Sequence, residues 1–220
     1  MARPVARAPS RSRVRRNRER EDTRQRMLDV AREMFVRRGY DATTMRAIAD
    51  RMDYTATALY HHFPSKDDLL LELCLCDFRA LAASFTQIGQ IADPIERIRR
   101  IGEAYVDFAL THPMQYQLMF LTPRPVLEMK EGITRGDPGQ DAYAFLRDTW
   151  ADAIADGRVR PEFQDPDELA QMAWAGLHGL LSLHIVKPIS TQNGKPWLEW
   201  REGRKTALRL SEALIRGLLR

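Results

Sequence analysis

The sequence predicts an all-α chain, and three observations carry that prediction. Apolar residues recur at helical spacing along most of the 220 residues. Residues that cap helix N-termini stand just ahead of these stripes, and glycine or proline stands where they stop.

Residues 1–20 are rich in Arg, Pro and Ser with almost no apolar periodicity, so a disordered arm is expected there. The first helix is expected from about Asp22 to Arg38, with Met27, Val30, Ala31, Met34 and Phe35 as its stripe and Gly39 as a left-handed cap. Thr44 is the natural N-cap of a second helix, whose Met45, Ile48, Ala49 and Met52 fall at i, i+3, i+4 and i+7. A turn through Asp53 and Tyr54 leads to Thr55, the cap of a third helix. The 3.6-residue period puts Leu59 and Phe63 on one side of that helix and Ala56, Thr57, Tyr60 and His61 on the other. Pro64 closes it and Ser65 starts a fourth helix, a connector carrying Leu69, Leu70, Leu73 and Cys74.

Asp93 and Pro94, a cap followed by an N1 proline, open a fifth helix that His112 and Pro113 break. A short apolar segment through Phe120 follows, and the Pro- and Gly-rich residues 122–139 read mostly as loop. Further helices are expected from about Gln140 to Asp156, stopped by Gly157, from Asp165 to the residue before Pro188, and from about Pro196 to the end. Gly176 and Gly179 would admit close approach by another helix.

Composition narrows the function classes. The sequence has no uninterrupted run of about eighteen apolar residues, so no membrane partner is expected, and the basic start lacks the apolar stretch of a signal peptide. Cys74 and Cys76 point to nearly opposite faces of one helix, which suits free thiols and a cytoplasmic chain. Ten arginines against Glu19, Glu21 and Asp22 put the first 26 residues at +7, and with +4 for the whole chain the remainder stands at −3. A basic end on a slightly acidic body suits contact with a polyanion. Gly-rich phosphate loops, paired-cysteine zinc spacing and H-E-x-x-H are absent, and His178 and His184 lie nearly opposite on their helix. No catalytic residue, metal site or cofactor is expected.

The run from Met27 to Leu70 resembles the N-terminal DNA-binding domain of the TetR family of bacterial transcriptional regulators. The likeness rests on F-x-x-x-G-Y at Phe35 to Tyr40, T-T-x-R-x-I-A at Thr43 to Ala49, and L-Y-x-H-F at Leu59 to Phe63 with P-S-K after it. Asp53 stands where relatives carry a turn glycine and Thr57 where they carry a small glycine on the reading side, so the reading surface is atypical. The resemblance implies a helix-turn-helix domain at 21–65, with 66–220 forming a helical ligand-binding and dimerisation domain. It assigns Thr44, Tyr60 and Lys66 to phosphates and Arg46, Ala56, Thr57 and His61 to bases or nearby phosphates. It also implies a homodimer through the last two long helices, whose two reading helices, roughly 34–36 Å apart, would meet a pseudo-palindromic duplex operator.

Trp174 to Gly179, with Tyr116 to Phe120, resembles the family's subgroup with a Trp-His-Gly signature. Tyr105, Phe108, Tyr116, Met119, Phe120, Phe145, Trp150, Trp174 and His178 are the expected lining of a pocket for a small hydrophobic or amphipathic effector. A ligand-responsive repressor is the function this implies. Two rivals remain: a helical binding or catalytic protein that uses the helix-turn-helix only for packing, and a sequence-tolerant DNA binder driven by the arginine arm.

Overall fold

Local capping chemistry sets most helix ends in the computed structural model of the chain, which describes residues 11–123, 136–186, 191–192, 195–196 and 198–220. Residues 1–10 of the expected arm, residues 124–135 of the expected loop and the helix stop at Pro188 lie outside these. The chain divides within its fourth helix, between Leu73 and Cys74, into two compact units.

The first unit contains α1 (Arg11–Arg38), α2 (Met45–Arg51), α3 (Ala56–His62) and the start of α4 (Lys66–Ser84). Its core takes Met27, Leu28, Ala31 and Phe35 from α1, Ile48 and Ala49 from α2, Leu59 from α3, and Leu69, Leu70 and Leu73 from α4, each almost wholly buried. Phe63 closes α3 and is buried as well. One expectation is corrected: α1 begins at Arg11, not near Asp22, so residues 11–20 are helical rather than disordered. Arginine and glutamate are good helix formers without any apolar stripe. Arg15 pairs with Glu19 one turn later at 3.4 Å, and the Thr23 hydroxyl donates to the Glu19 carbonyl at 2.8 Å.

The second unit holds the rest of α4, a 3₁₀ turn (Ile88–Gln90), α5 (Pro94–Thr111), α6 (Pro113–Tyr116) running into a π-helical turn (Gln117–Leu121), α7 (Ala142–Ala155), α8 (Pro166–Val186) and α9 (Gly203–Leu218). Asp93 caps α5 through the Ile95 N–H at 2.9 Å, and Pro94 occupies its first turn. Gly157, at φ 66°, ends α7 with the Arg158 N–H on the Ala153 carbonyl at 3.1 Å. The last helix starts at Gly203 rather than near Pro196. Glu202 caps it by accepting the N–H groups of Arg204 and Lys205, while Lys195–Pro196 pairs instead with Thr191–Gln192 as a two-residue antiparallel ladder. Among the described residues the fold is all-α apart from this ladder and one bridge between Val159 and Leu219.

Helices α5, α7, α8 and α9 pack on one another around two apolar clusters, one centred on Tyr105, Val106, Tyr116 and Leu181, the other on Ile95, Trp150, Leu169 and Ile215. Of the two glycines expected to admit a neighbour, Gly176 meets α9 of its own chain, since a Cβ there would stand 2.8 Å from Leu214. Gly179 is open. By length and composition alone helix α8 is apolar enough to cross a bilayer, a test that the core helix of a globular protein also passes. Much of its apolar surface is uncovered, including Leu183 and Val186.

Candidate nucleic-acid interface and ligand cavity

The helix-turn-helix is built from two threonine caps and one left-handed residue. Thr44 Oγ1 accepts the Ala47 N–H at 3.1 Å, and Thr55 Oγ1 accepts the Ala58 N–H at 3.2 Å. Between them the chain turns on Asp53, whose φ of 59° is the one positive value among described non-glycine residues. The Tyr54 N–H returns to the Ala49 carbonyl at 3.0 Å and the Asp53 N–H to the Asp50 carbonyl at 3.3 Å, so these two carbonyls at the end of α2 are satisfied. Aspartate can hold this conformation because its short side chain tolerates left-handed backbone better than most.

This turn presents α3 with Leu59 inward and Thr57, Tyr60 and His61 outward; Ala56 is half-buried. Arg46 is exposed on α2, with only a loose 3.9 Å approach to Asp50. Thr44 is exposed at the N-terminus of the same helix. Six of the seven residues expected at DNA therefore sit on or near surface around α2 and α3. The seventh, Lys66, is placed differently. Its ammonium donates to the carbonyls of Tyr40 at 2.9 Å and Thr43 at 3.1 Å and lies 3.9 Å over the Tyr40 ring. Two of its three N–H groups thus hold the loop ahead of α2, leaving at most one for a phosphate. The Tyr40 hydroxyl donates to Asp67. Burial, then the Asp67 carboxylate, pushes the Tyr40 phenol up to about 12 and keeps it a donor.

Within the second unit lies a cavity of about 570 Å³, in the usual range for small-molecule sites. Phe78, Leu81, Phe85, Phe120, Leu146 and Leu177 supply apolar wall; Tyr105, Gln140, Asp141, Tyr143, Ser211 and Trp174 are the polar residues along it. Most of those polar groups are committed. Asp141 caps α7 by accepting the N–H groups of Tyr143 and Ala144, and also accepts that of Gly136. Gln140 donates to Asp137, and the Tyr143 hydroxyl donates to Asp167 at 2.8 Å.

A directional relay starts at the cavity wall. Trp174 Nε1 donates to the Tyr105 hydroxyl at 3.0 Å, which lies 3.0 Å from that of Tyr116, itself 2.6 Å from His178 Nδ1. His178 Nε2 lies 3.3 Å from Ser182 Oγ, which donates to the His178 carbonyl at 2.6 Å. Every proton in this chain has a destination if His178 is neutral and carries its proton on Nε2. Burial holds the His178 imidazole below its usual value, which favours that neutral form, and burial raises both tyrosines. The Trp150 indole is the exception. It is fully buried at the cavity wall, and its N–H has no acceptor among the described residues. An unpaired buried donor costs about 1–3 kcal/mol.

Five of the nine residues expected at the cavity line it: Tyr105, Met119, Phe120, Trp150 and Trp174. The other four do not. Tyr116 and His178 stand behind Tyr105 in the relay; Phe145 stacks on Phe85 and Phe108 on His112. Helical period places a residue on a face without saying which of two clusters that face joins. The aliphatic walls Ile98, Ile101 and Ile215 were missed because nothing in a sequence separates a cavity isoleucine from a core one. Among the described residues, no group of three or more His, Cys, Asp or Glu is placed to hold a metal ion.

A profile of bacterial regulatory proteins of the tetR family matches residues 27–73, and one of the tetracyclin repressor-like C-terminal domain matches residues 98–196. The HTH-type transcriptional repressor KstR2 of Mycobacterium tuberculosis is 31% identical over 150 residues, spanning 56% of this chain and 75% of that protein. The chain belongs to the TetR family. As a TetR-family protein it is a DNA-binding transcriptional regulator. The HTH-type transcriptional activator FasR of Mycolicibacterium smegmatis is 35% identical over 102 residues, 46% of this chain and 47% of that one. Solved TetR folds superpose over most of the chain. The ketosteroid transcriptional regulator KstR2 of Mycobacterium tuberculosis does so with a TM-score of 0.63 at 20% identity, covering 90% of this chain and 95% of that one. The fatty acid degradation regulator FadR of Bacillus halodurans gives 0.68 at 14% identity, covering 90% and 97%. At these identities the likeness is one of fold.

Proposed function

We propose that this TetR-family protein is a cytoplasmic, non-enzymatic repressor that binds a pseudo-palindromic operator as a homodimer and leaves it when a small apolar molecule occupies the cavity. The observation that carries the reading is the mainly apolar cavity lined by α4, α5, α7, α8 and α9 in a chain that also exposes Thr57, Tyr60 and His61 on a capped helix. Repression is favoured by the relatives named repressors, KstR2 and KstR. The dimer is supported by the uncovered apolar stripe of α8, with Ala175, Gly179, Leu183 and Val186 exposed, and by exposed Ala213 and Gly217 on α9. Small residues on neighbouring helices let a second copy approach closely, and two-fold symmetry matches an inverted repeat. Release follows from linkage: an effector that favours a subunit arrangement with misplaced reading helices weakens DNA binding by the factor by which DNA weakens effector binding.

Selection of bound fragments from a random duplex pool tests this. The expected product is an inverted repeat with half-site centres about one helical turn apart. Equal retention of all duplexes at physiological salt would point instead to a sequence-tolerant binder. Residues 1–20 are proposed to add sequence-independent affinity. Deleting them is expected to weaken binding to all duplexes and flatten its salt dependence, measured by titration at several ionic strengths; an unaltered slope would remove the arm from the DNA contact set.

A further inference from the structure

Helix α1 runs for about four turns before its first buried core residue, Met27, and that extension has two unlike sides. Met27 and Ala31 are buried in the core of the first unit, and Arg24, Arg20 and Arg16 precede them at helical intervals, so one face of α1 passes from hydrocarbon to guanidinium without turning. Arg24 marks the changeover. Its guanidinium lies 5.0 Å over the ring of Phe63 at the end of α3 and 3.1 Å from the Glu72 carboxylate of α4. Arg20, next along the face, acts on the same end of α3: burial first, and then the charges of Arg20 and Arg24, hold the His62 imidazole below its ordinary value.

Beyond Arg24 the face has no acid of its own. Arg16, Asn17 and Arg20 are exposed, and among the described residues neither Arg16 nor Arg20 makes an ion pair. Glu19, Glu21 and Asp22 fall on the flanks and back of the helix relative to Arg20. Arg15 and Arg18 also stand roughly opposite Arg20, and Arg15 is paired with Glu19 at 3.4 Å. The protein therefore supplies a carboxylate for Arg24 and for Arg15, and none for the two arginines on the side of α1 that meets the end of α3. Guanidinium groups held at fixed spacing suit phosphate, which they bind through paired N–H donors.

We infer that Arg16 and Arg20 bind backbone phosphates of duplex DNA beside the groove entered by α3, and that Arg15 and Arg18 on the opposite side do not. This rests on the reading of residues 1–20 as a source of sequence-independent affinity, and assigns that affinity to one face of a preformed helix. Along the axis Arg16 stands about 12 Å from Arg24, so the stripe spans the rise of three to four base pairs at about 3.4 Å each. Phosphate contacts carry no sequence information, so the effect belongs to every duplex the protein binds.

The experiment titrates the full-length protein with a mixed-sequence duplex of about three helical turns at several salt concentrations. Two double variants remove equal charge from opposite sides: Arg16→Gln with Arg20→Gln, and Arg15→Gln with Arg18→Gln. Glutamine has nearly the helix propensity of arginine, and circular dichroism checks that helix content is unchanged. The first pair is expected to weaken binding about tenfold and to reduce the slope of log affinity against log salt by about 1.8 for each bound protomer. The second is expected to leave affinity within about twofold and the slope unaltered. Equal losses in the two pairs would overturn the assignment to one face and leave the arm as a diffuse attraction. No loss in the first pair would overturn the contact itself. A duplex recovered by selection is titrated alongside; failure to recover an inverted repeat counts against the operator reading and leaves the comparison of the two faces intact.

Discussion

Thr57, Tyr60 and His61 stand on the outer side of one seven-residue helix, whereas Tyr105, Trp150 and Trp174 come from three different helices and converge on one cavity. The first arrangement needs two threonine caps and a tight turn, all within about twenty residues of chain. The second exists only after α4, α5, α7, α8 and α9 have packed. A surface built by local chemistry can change its specificity without touching stability, while a cavity built by distant contacts changes its ligand and its stability together. Lys66 crosses that division: it belongs to the first unit but is tied to the carbonyls of Tyr40 and Thr43 as an interior group would be.

The largest expected effect tests the outer surface. Replacing Tyr60 and His61 together by alanine should weaken operator binding about a hundredfold, roughly 2.7 kcal/mol, while the melting temperature stays within a degree or two of wild type. A large fall in melting temperature would show that these side chains pack rather than read. Lys66→Ala is expected to behave differently, lowering both operator affinity and melting temperature, because it releases the loop ahead of α2. Loss of affinity alone would return Lys66 to simple phosphate contact.

An intermediate effect tests the interior. Tyr116→Phe removes the donor to His178 Nδ1, an oxygen–nitrogen contact of 2.6 Å, and should cost about 1–3 kcal/mol in chemical denaturation. Operator affinity of the remaining folded protein should not change. A neutral result in denaturation would mean that the relay orders the cavity without stabilising it.

The smallest effect separates two histidines. Both His62 in the first unit and His178 in the second are held below the ordinary value of 6.5, His178 by burial and His62 by burial and then by Arg20 and Arg24. A histidine lowered in the folded state binds fewer protons than its unfolded counterpart, so its contribution is fully present above 6.5 and is lost as pH falls below 6.5 toward its folded value. Stability should therefore decline over that window. Proton NMR titration at low and high salt should move His62 back toward 6.5, because salt screens the arginines, and leave His178 in place. Equal salt sensitivity would erase the contrast.

What the sequence made legible follows the same line. Thr44, Thr55, Asp93 and Gly157 could be read as helix ends because a cap acts on groups two to four residues away. Asp53 could be read as the turn because its backbone angle is a local demand. The start of α1 at Arg11 could not, since a helix held by charge pairs and propensity shows no apolar stripe. Nor could the start of α9 at Gly203, where Glu202 is an unobtrusive cap. In the cavity, aromatic and polar residues stood out, so Tyr105 and Trp174 were found. Their aliphatic neighbours, and the assignment of Tyr116 and His178 to a position behind the wall, depend on helix packing that no local pattern encodes.

The early start of α1 has a thermodynamic consequence for the basic arm. Immobilising a flexible residue costs roughly 1–2 kcal/mol in backbone entropy, which for ten residues would cancel much of the attraction between arginine and phosphate. In residues 11–20 the helix has already met that cost during folding. At 1.5 Å per residue those ten residues form a stiff rod of about 15 Å, and the charges of Arg15, Arg16, Arg18 and Arg20 keep fixed spacings along it. Such a rod would offer a polyanion a preordered subset of these charges on whichever face it turned, where a coil would be captured one residue at a time.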